Sequence, residues 1–311
     1  MSLCIYEGVE QIYIYLPGSM IENENVLSVN DLYIAYCSSV TVIILDKKTK
    51  IIKNIVNKSR DNFVKSIALN KGNKSQIAIF YDYEIYIYDI RLEQILITID
   101  KTDIIFMEFN IDNIFLALTS KGELSYFDIF SSSMIQKKEQ KIKLNYIKTK
   151  ENVLCVKWFP FDSSSLAYAN DKNIIYFIDI KNNSKNLDIE IVGDDEEDSK
   201  MKISCIEWYD IDENCNYLLA GTTTSRIYLI DFNINGAYII TNFEKTGNSI
   251  KNLFWLNFQP GSFISINDNS SKYQIWNVSK TTFNSMKKIG NLSINNCVKY
   301  NEHSILFNDI H

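Results

Sequence analysis

The stretch Ile203 to Asp231, ISCIEWYDIDENCNYLLAGTTTSRIYLID, contains the features that recur along this chain. It opens on three apolar anchors, Ile203, Ile206 and Trp208, spaced by two intervening residues and then one. The polar, turn-rich YDIDEN follows, then an apolar run containing the small Ala220, then the alternating RIYLID that stops at Asp231. Short apolar or alternating runs bounded by turn formers read as antiparallel strands.

The same pattern recurs in both directions. The anchor spacing returns at Val64/Ile67/Leu69, Ile104/Met107/Phe109, Val153/Val156/Trp158 and Ile250/Leu253/Trp255. Alternating strands stop at Asp46, Asp89, Asp128, Asp179, Asp231 and Asn277, between 39 and 52 residues apart. Eleven or twelve residues before these stops stand Ala35, Ala78, Ala117, Ala167, Ala220 and Ser265, so five of only 8 alanines share one phase. Four antiparallel strands per repeat of about 40–45 residues is the blade of a β-propeller. A small residue is expected where the inner strands of neighbouring blades converge, and an Asp or Asn stop is expected to cap the next turn through its side-chain oxygen.

Ile275–Trp276–Asn277 stands where WD repeats carry their Trp-Asp dipeptide, and the chain resembles that family. The expected fold is therefore all-β, a WD40-like β-propeller forming a single domain over residues 1–311 with seven blades. Gln11 to Leu16 is expected to close the last blade beside Ile294 to Tyr300 and Ser304 to Phe307. That blade lacks an obvious third strand; a chain cut short after His311 is the favoured expectation, and a strand borrowed from Leu3 to Tyr6 the alternative. The family's Gly-His dipeptide is absent, and its tetrad histidine has no counterpart, because the 2 histidines are His303 and His311. Gln11 to Asp46, Asp194 to Asp210 and Ile275 to Thr282 also resemble stretches of the WD repeat-containing protein 17 family, although Phe283 replaces an expected proline. That resemblance implies a large intracellular scaffold whose first propeller is this chain.

Composition narrows the functional classes. With 46% hydrophobic and 23% charged residues the 311-residue chain is no disordered segment. Its 49 Ile and 19 Tyr against 8 Ala argue for strands over a helical bundle. No internal histidine exists to act as a base or zinc ligand. Cys4, Cys37, Cys155, Cys205, Cys215 and Cys297 form no CxxC and read as thiols of a reducing cytosol. The N-terminus lacks the basic and apolar regions of a signal peptide, so a cytoplasmic location is expected. A net charge of −6 opposes nucleic-acid binding. No Gly-rich phosphate loop, GxSxG or Phe-Arg-Arg-Gly motif is present, and no cofactor is expected.

The candidate contact residues lie in loops. Asp194, Asp195, Glu196 and Glu197 open a run of carboxylates between blades that suits a basic partner or a cation, against the plainer reading of a solvated loop. Lys137, Lys138, Lys141 and Lys143 occupy the preceding connection and read as a solvated segment, interrupted by Glu139. Thr222 to Arg226 joins the second and third strands of its blade, with counterparts at Tyr81–Asp82–Tyr83, Asn170–Asp171–Lys172 and Asn267 to Ser271. Tyr81, Tyr83, Lys172 and Arg226 are the candidate anchors there, since tyrosine and arginine bury much area and keep a polar tip. Trp158, Trp208, Trp255 and Trp276, like Cys155 and Cys205, share repeat phases that assign them to packing. The expected function is a non-catalytic scaffold that binds protein or peptide partners on its rims. The rivals are a propeller hydrolase or ligand-binding module using channel carboxylates, and a membrane-trafficking coat adaptor.

Overall fold

The computed structural model describes residues 2–7, 10–15, 26–38, 40–57, 63–129, 145–149, 151–182, 187–193, 200–233, 235–243, 247–256, 261–268, 273–278, 294–301 and 304–309. Among the described residues, 27 strands form seven antiparallel sheets. The chain divides into two compact units, Met1–Lys148 with Asn295–His311, and Thr149–Ile294.

Three sheets of the first unit pair in chain order. They are β3 to β6 (Leu27–Val29, Tyr33–Ser38, Thr41–Asp46, Ile52–Val56), β7 to β10 (Ser66–Leu69, Gln76–Phe80, Glu84–Asp89, Gln94–Asp100), and β11 to β14 (Ile104–Phe109, Ile114–Thr119, Leu124–Asp128, Asn145–Tyr146). The fourth joins both chain ends in the order β2-β1-β27-β26, from Glu10–Tyr15, Ser2–Glu7, Ser304–Asp309 and Ile294–Asn301. Here β1 pairs with β27 from Ser2 opposite Asp309 to Glu7 opposite Ser304. The favoured expectation of an incomplete last sheet is thereby corrected in favour of the alternative at Leu3 to Tyr6: Ser2–Glu7 supplies its third strand and β2 its fourth.

The second unit contains β15 to β18 (Val153–Trp158, Ser165–Asn170, Ile174–Asp179, Leu187–Glu190), β19 to β22 (Ile203–Trp208, Tyr217–Thr222, Ile227–Asn233, Gly236–Phe243), and β23 to β25 (Ile250–Trp255, Ser262–Asn267, Tyr273–Asn277). The fourth strand expected of each repeat falls, for this last sheet, outside the described residues.

A β-bulge explains the anchor spacing in four of the five sets. In a regular strand, side chains on one face recur every second residue. The first strand of four sheets instead shifts register between its first and third residues, at Ile104/Phe106, Val153/Cys155, Ile203/Cys205 and Ile250/Asn252. The extra residue changes the first interval from two to three and re-aims the strand end. Positions one, four and six consequently all point inward, as Ile203, Ile206 and Trp208 do. The phased small residues Ala35, Ala78, Ala117, Ala167, Ala220 and Ser265 are all fully buried. In the same strand as Ala220, Gly221 leaves no room for a side chain, because a Cβ there would lie 2.6 Å from Ile250 Cγ2 and 2.8 Å from Cys205 Sγ.

The strand stops act as turn caps. Asp46 Oδ1 accepts the N–H groups of Lys48 and Thr49 at 3.0 and 2.7 Å, Asp89 Oδ1 those of Arg91 and Leu92, and Asp179 Oδ1 those of Lys181 and Asn182. Asp231 departs from the pattern. The buried Phe232 extends β21 to Asn233, whose Oδ1 accepts the Asn235 N–H at 2.9 Å.

Hydrogen bonding to Thr49 holds the Asp46 carboxyl below the usual range. Asp179 is partly desolvated, which acts the other way, but the N–H groups of Lys181 and Asn182 outweigh it and its pKa is also lowered. A carboxyl with a depressed folded-state pKa stabilises the fold above its unfolded pKa of about 4, and that contribution is lost as pH falls through the folded value. Thermal midpoints are expected to hold between pH 7 and 5 and to drop below about pH 4. The Asp46→Asn/Asp179→Asn double variant retains both Oδ1 acceptors and should show a shallower acid decline; an identical decline would remove these caps from the account.

Candidate functional site

In several sheets the connection that enters the sheet is hydrogen-bonded to a turn between second and third strands, so that these loops lie together at one end of the strands. In the first unit the Lys101 N–H donates to Tyr83 O at 3.1 Å and the Ser120 N–H to Asp103 O at 2.8 Å. In the second, Asp171, Thr223 and Asp268 donate their N–H groups to the carbonyls of Asn152, Lys202 and Ser249 at 3.0, 2.9 and 2.7 Å. Side chains also cap these turns from within. Asn170 Oδ1 accepts from Lys172 and Ile174, and Thr222 Oγ1 accepts the Arg226 N–H at 3.0 Å. Rigid turns of this kind present contact side chains at little entropic cost.

In the first unit, Tyr83 is 68% exposed. Tyr81 is buried at 3% exposure and packs edge-on to Tyr86 with ring centroids 5.6 Å apart, so it supports the turn and offers no contact area. Its assignment as a contact anchor is corrected: one residue beyond β8, which is buried along its whole length, it continues the buried run. Lys65 Nζ meets Asp82 Oδ1 at 2.6 Å. Lys101 Nζ lies 3.0 Å from Glu123 Oε2, 3.4 Å from the Tyr146 hydroxyl and 4.9 Å from the Tyr146 ring centroid. Burial of the Lys101 stem works against its charge, but the Glu123 and Tyr146 oxygens more than compensate and hold its pKa above the ordinary value. Tyr146 itself is 57% exposed.

In the second unit Lys172 is exposed, with Nζ 2.5 Å from Glu151 Oε1, and this contact raises its pKa. The adjacent Asp171 carbonyl accepts from Lys202 Nζ, and the Lys202 N–H in turn donates to Thr223 Oγ1 at 2.9 Å. This chain of bonds brings the Lys172 turn alongside the half-buried Arg226 turn. Asp194, Asp195, Glu196 and Glu197, and the four lysines from Lys137 to Lys143, lie outside the described residues. The Lys101–Glu123–Tyr146 contact was not evident in sequence. The available signal was position alone: Lys101 directly precedes an anchor strand, where the rim loops run.

Three thiols are buried or half-buried, and two of the carboxylates are paired. Burial pushes up the thiols of Cys37 and Cys155, and that of Cys205 to about 12. A thiol raised this far contributes almost no thiolate nucleophile near neutrality. At matching positions of the first strands, Glu108 pairs with Lys71 at 3.1 Å and Glu207 with Lys157 at 3.0 Å.

No protein-family model matches the chain, and no curated protein matches it. Among solved structures it is similar to a chain of the crystal structure of a mitotic checkpoint complex, at 13% identity and a TM-score of 0.69, over 99% of this chain and 94% of that one. It is also similar to the β-propeller domain of Cps50 (Swd1) from Myceliophteria thermophila, at 9% identity and a TM-score of 0.69, over 94% of this chain and 99% of that domain. The chain has the WD40-like β-propeller fold. In this propeller the sheets are the blades, and the sheet of β23 to β25 retains part of the WD hydrogen-bonding pattern. Trp276 Nε1–H donates to Ser265 Oγ at 2.9 Å, and Asn277 Nδ2 donates to Ser262 Oγ at 2.8 Å. The propeller's other strand-end tryptophans, Trp158, Trp208 and Trp255, are buried, as their shared phase predicts.

Proposed function

We propose that this chain is a single non-catalytic propeller domain that docks protein or peptide partners on its loop rim, as a scaffold within a larger cytoplasmic assembly. The observation that carries the reading is the pair of exposed tyrosines, Tyr83 and Tyr146, contacting Lys101 through its backbone and its ammonium respectively. Aromatic side chains on a stiff support are the usual energetic centre of a protein interface. The raised thiols and ion-paired carboxylates favour docking over the hydrolase alternative. The coat-adaptor reading differs only in the partner. The resemblance to WD repeat-containing protein 17 supports placement in a scaffold of that kind, and it rests on the sequence stretches alone.

Partners captured from cytosol by the parent chain should be lost with the Tyr83→Ala/Tyr146→Ala double variant. Affinity for a partner so identified should fall about tenfold or more, with the thermal midpoint little changed because both side chains are exposed. Undiminished capture by a folded double variant would place docking elsewhere. Turnover of a small substrate that depends on Glu108 or Glu207 would replace the scaffold reading with an enzymatic one.

A further inference from the structure

Exposed aliphatic side chains gather where the outer strands of the first two sheets, β6 and β10, come together. Ile51, Ile52 and Ile55 lie in β6 and the turn before it, Leu92 and Ile95 in β10 and the turn before it, and all five are exposed, Ile51, Ile55 and Leu92 at 67, 62 and 63%. The two groups are neighbours. Asn54, buried in the middle of β6, donates its Nδ2–H to Ile90 O at 2.7 Å, and Ile90 is buried in the core that the first sheet shares with the second. Ile95 stands opposite Tyr88, whose side chain packs against that same core, so Ile95 points toward the first sheet.

Nothing in the fold asks for a leucine at position 92. The Asp89 Oδ1 cap uses only its N–H, at 2.9 Å, and the residues in the same place at the Asp46 and Asp179 caps are the polar Thr49 and Asn182. Apolar groups exposed together on a protein surface mark a contact site. The charge around them also runs against that of the chain. Residues 46–56 and 89–95 hold five cations, Lys47, Lys48, Lys50, Lys53 and Arg91, against three carboxylates, Asp46, Asp89 and Glu93, a local +2 in a chain of −6. Asp46 and Asp89 are engaged as turn caps, and the nearby Asp31 is paired with Lys74 at 2.5 Å. Lys48, Lys53 and Arg91 are exposed.

We infer that this outer face of the first two sheets takes an acidic segment of a partner protein, in which aliphatic or aromatic residues alternate with Asp or Glu. The isoleucines and Leu92 supply the area to be buried, and Lys48, Lys53 and Arg91 select the sign of the partner's charge. An anionic membrane is the poorer occupant. Membrane-surface binding is associated with clusters of roughly four to eight cations and with Trp or Tyr at the interface, whereas this face has three exposed cations and its exposed apolar groups are all aliphatic. Leu92 follows β9 and Tyr83 precedes it, so this face and the rim turns lie at opposite ends of that strand. The inference therefore does not rest on the rim reading.

The probe is a dye-labelled peptide, DLEIDFEIDL, titrated with the intact chain beside its amide counterpart NLQINFQINL. Saturable binding of the acidic peptide with Kd below about 1 mM is expected, at least about tenfold tighter than the amide peptide and weakened by added salt. Amide exchange should slow over residues 46–56 and 89–95. Leu92→Ser and Lys53→Glu should each weaken binding about fivefold or more, whereas Tyr83→Ala should leave it unchanged. Both substituted side chains are exposed, so folding is expected to survive; the exchange pattern of the parent chain decides the matter if it does not. Absence of saturable binding, equal binding of the amide peptide, or protection confined to other residues overturns the inference. Co-sedimentation with phosphatidylserine vesicles that Leu92→Ser abolishes, without peptide binding, would assign the face to a membrane, and a dimer in sedimentation that Lys53→Glu dissolves would assign it to a second copy; either result also overturns it.

Discussion

Trp208→Ala is expected to lower the unfolding free energy by about 3–5 kcal/mol, the largest single effect predicted for the second unit. Trp208 is 2% exposed and closes β19 against rings from two sheets. Phe159 meets it edge-on at 4.9 Å, Phe177 lies at 5.1 Å and Phe232 at 5.8 Å. Removing the indole opens a cavity that three rigid rings, each held by its own strand or turn, fill only partly. Trp208→Phe provides the contrast. The indole Nε1 has no acceptor among the described residues, so phenylalanine removes no hydrogen bond seen there and loses only part of the volume. Its cost should stay near 1–2 kcal/mol. Urea unfolding of both variants measures the difference; equal costs would mean that the site depends on something other than aromatic volume.

The same residue shows what the sequence made legible. Its place, two beyond Ile206 and five beyond Ile203, recurs because a bulge recurs, and a bulge adds one residue wherever it occurs. Strand stops and small residues were readable for similar local reasons: an Asx cap requires a particular side chain, and a fully buried, tightly packed position requires a small one. Two features escaped, and a third stood only as an alternative, because their causes are not local. Phe232 extended β21 past Asp231 because a hydrophobic side chain found a buried site beyond the expected stop. Ser2–Glu7 became the third strand, as the alternative at Leu3 to Tyr6 had it; it was not the favoured expectation because its partner β27 lies about 300 residues away in sequence, a long-range closure no short window contains. Tyr81 and Tyr83 look equivalent in a loop of alternating aromatics, yet their exposures are 3% and 68%. Sequence identified the rim turn, and packing decided which tyrosine it presents.

Asn30 supports the second large prediction, in the first unit. Its side chain is 7% exposed and uses both ends: Oδ1 accepts from the N–H groups of Leu32 and Tyr33 at 2.9 Å, and Nδ2 donates to the carbonyls of Asn70 and Lys74 at 2.9 and 3.0 Å. One amide thereby caps the turn before β4 and ties it to the turn after β7. Asn70 repeats the arrangement, its Oδ1 accepting from Gly72 and Asn73 while its Nδ2 donates to Asn113 Oδ1 at 3.0 Å. Gly72 permits that approach, since a Cβ there would lie 2.2 Å from Ile111 O. Where WD repeats use a histidine-centred tetrad, this chain joins neighbouring sheets through asparagines. Asn30→Ala leaves two donors and two acceptors without partners and should cost about 2–4 kcal/mol. Asn30→Asp should cost more at pH 7, because a carboxylate oxygen would then face two carbonyl oxygens. That crowding raises the folded-state pKa of the new carboxyl above its unfolded value. Its protonated form is therefore favoured in the fold, and the deficit relative to Asn30→Ala should shrink as pH falls toward 5. Urea midpoints for the three proteins at pH 7 and pH 5 provide the measurement. If the aspartate variant matches the parent at pH 7, the Nδ2 bonds contribute nothing, and the sheets are held together by apolar packing alone.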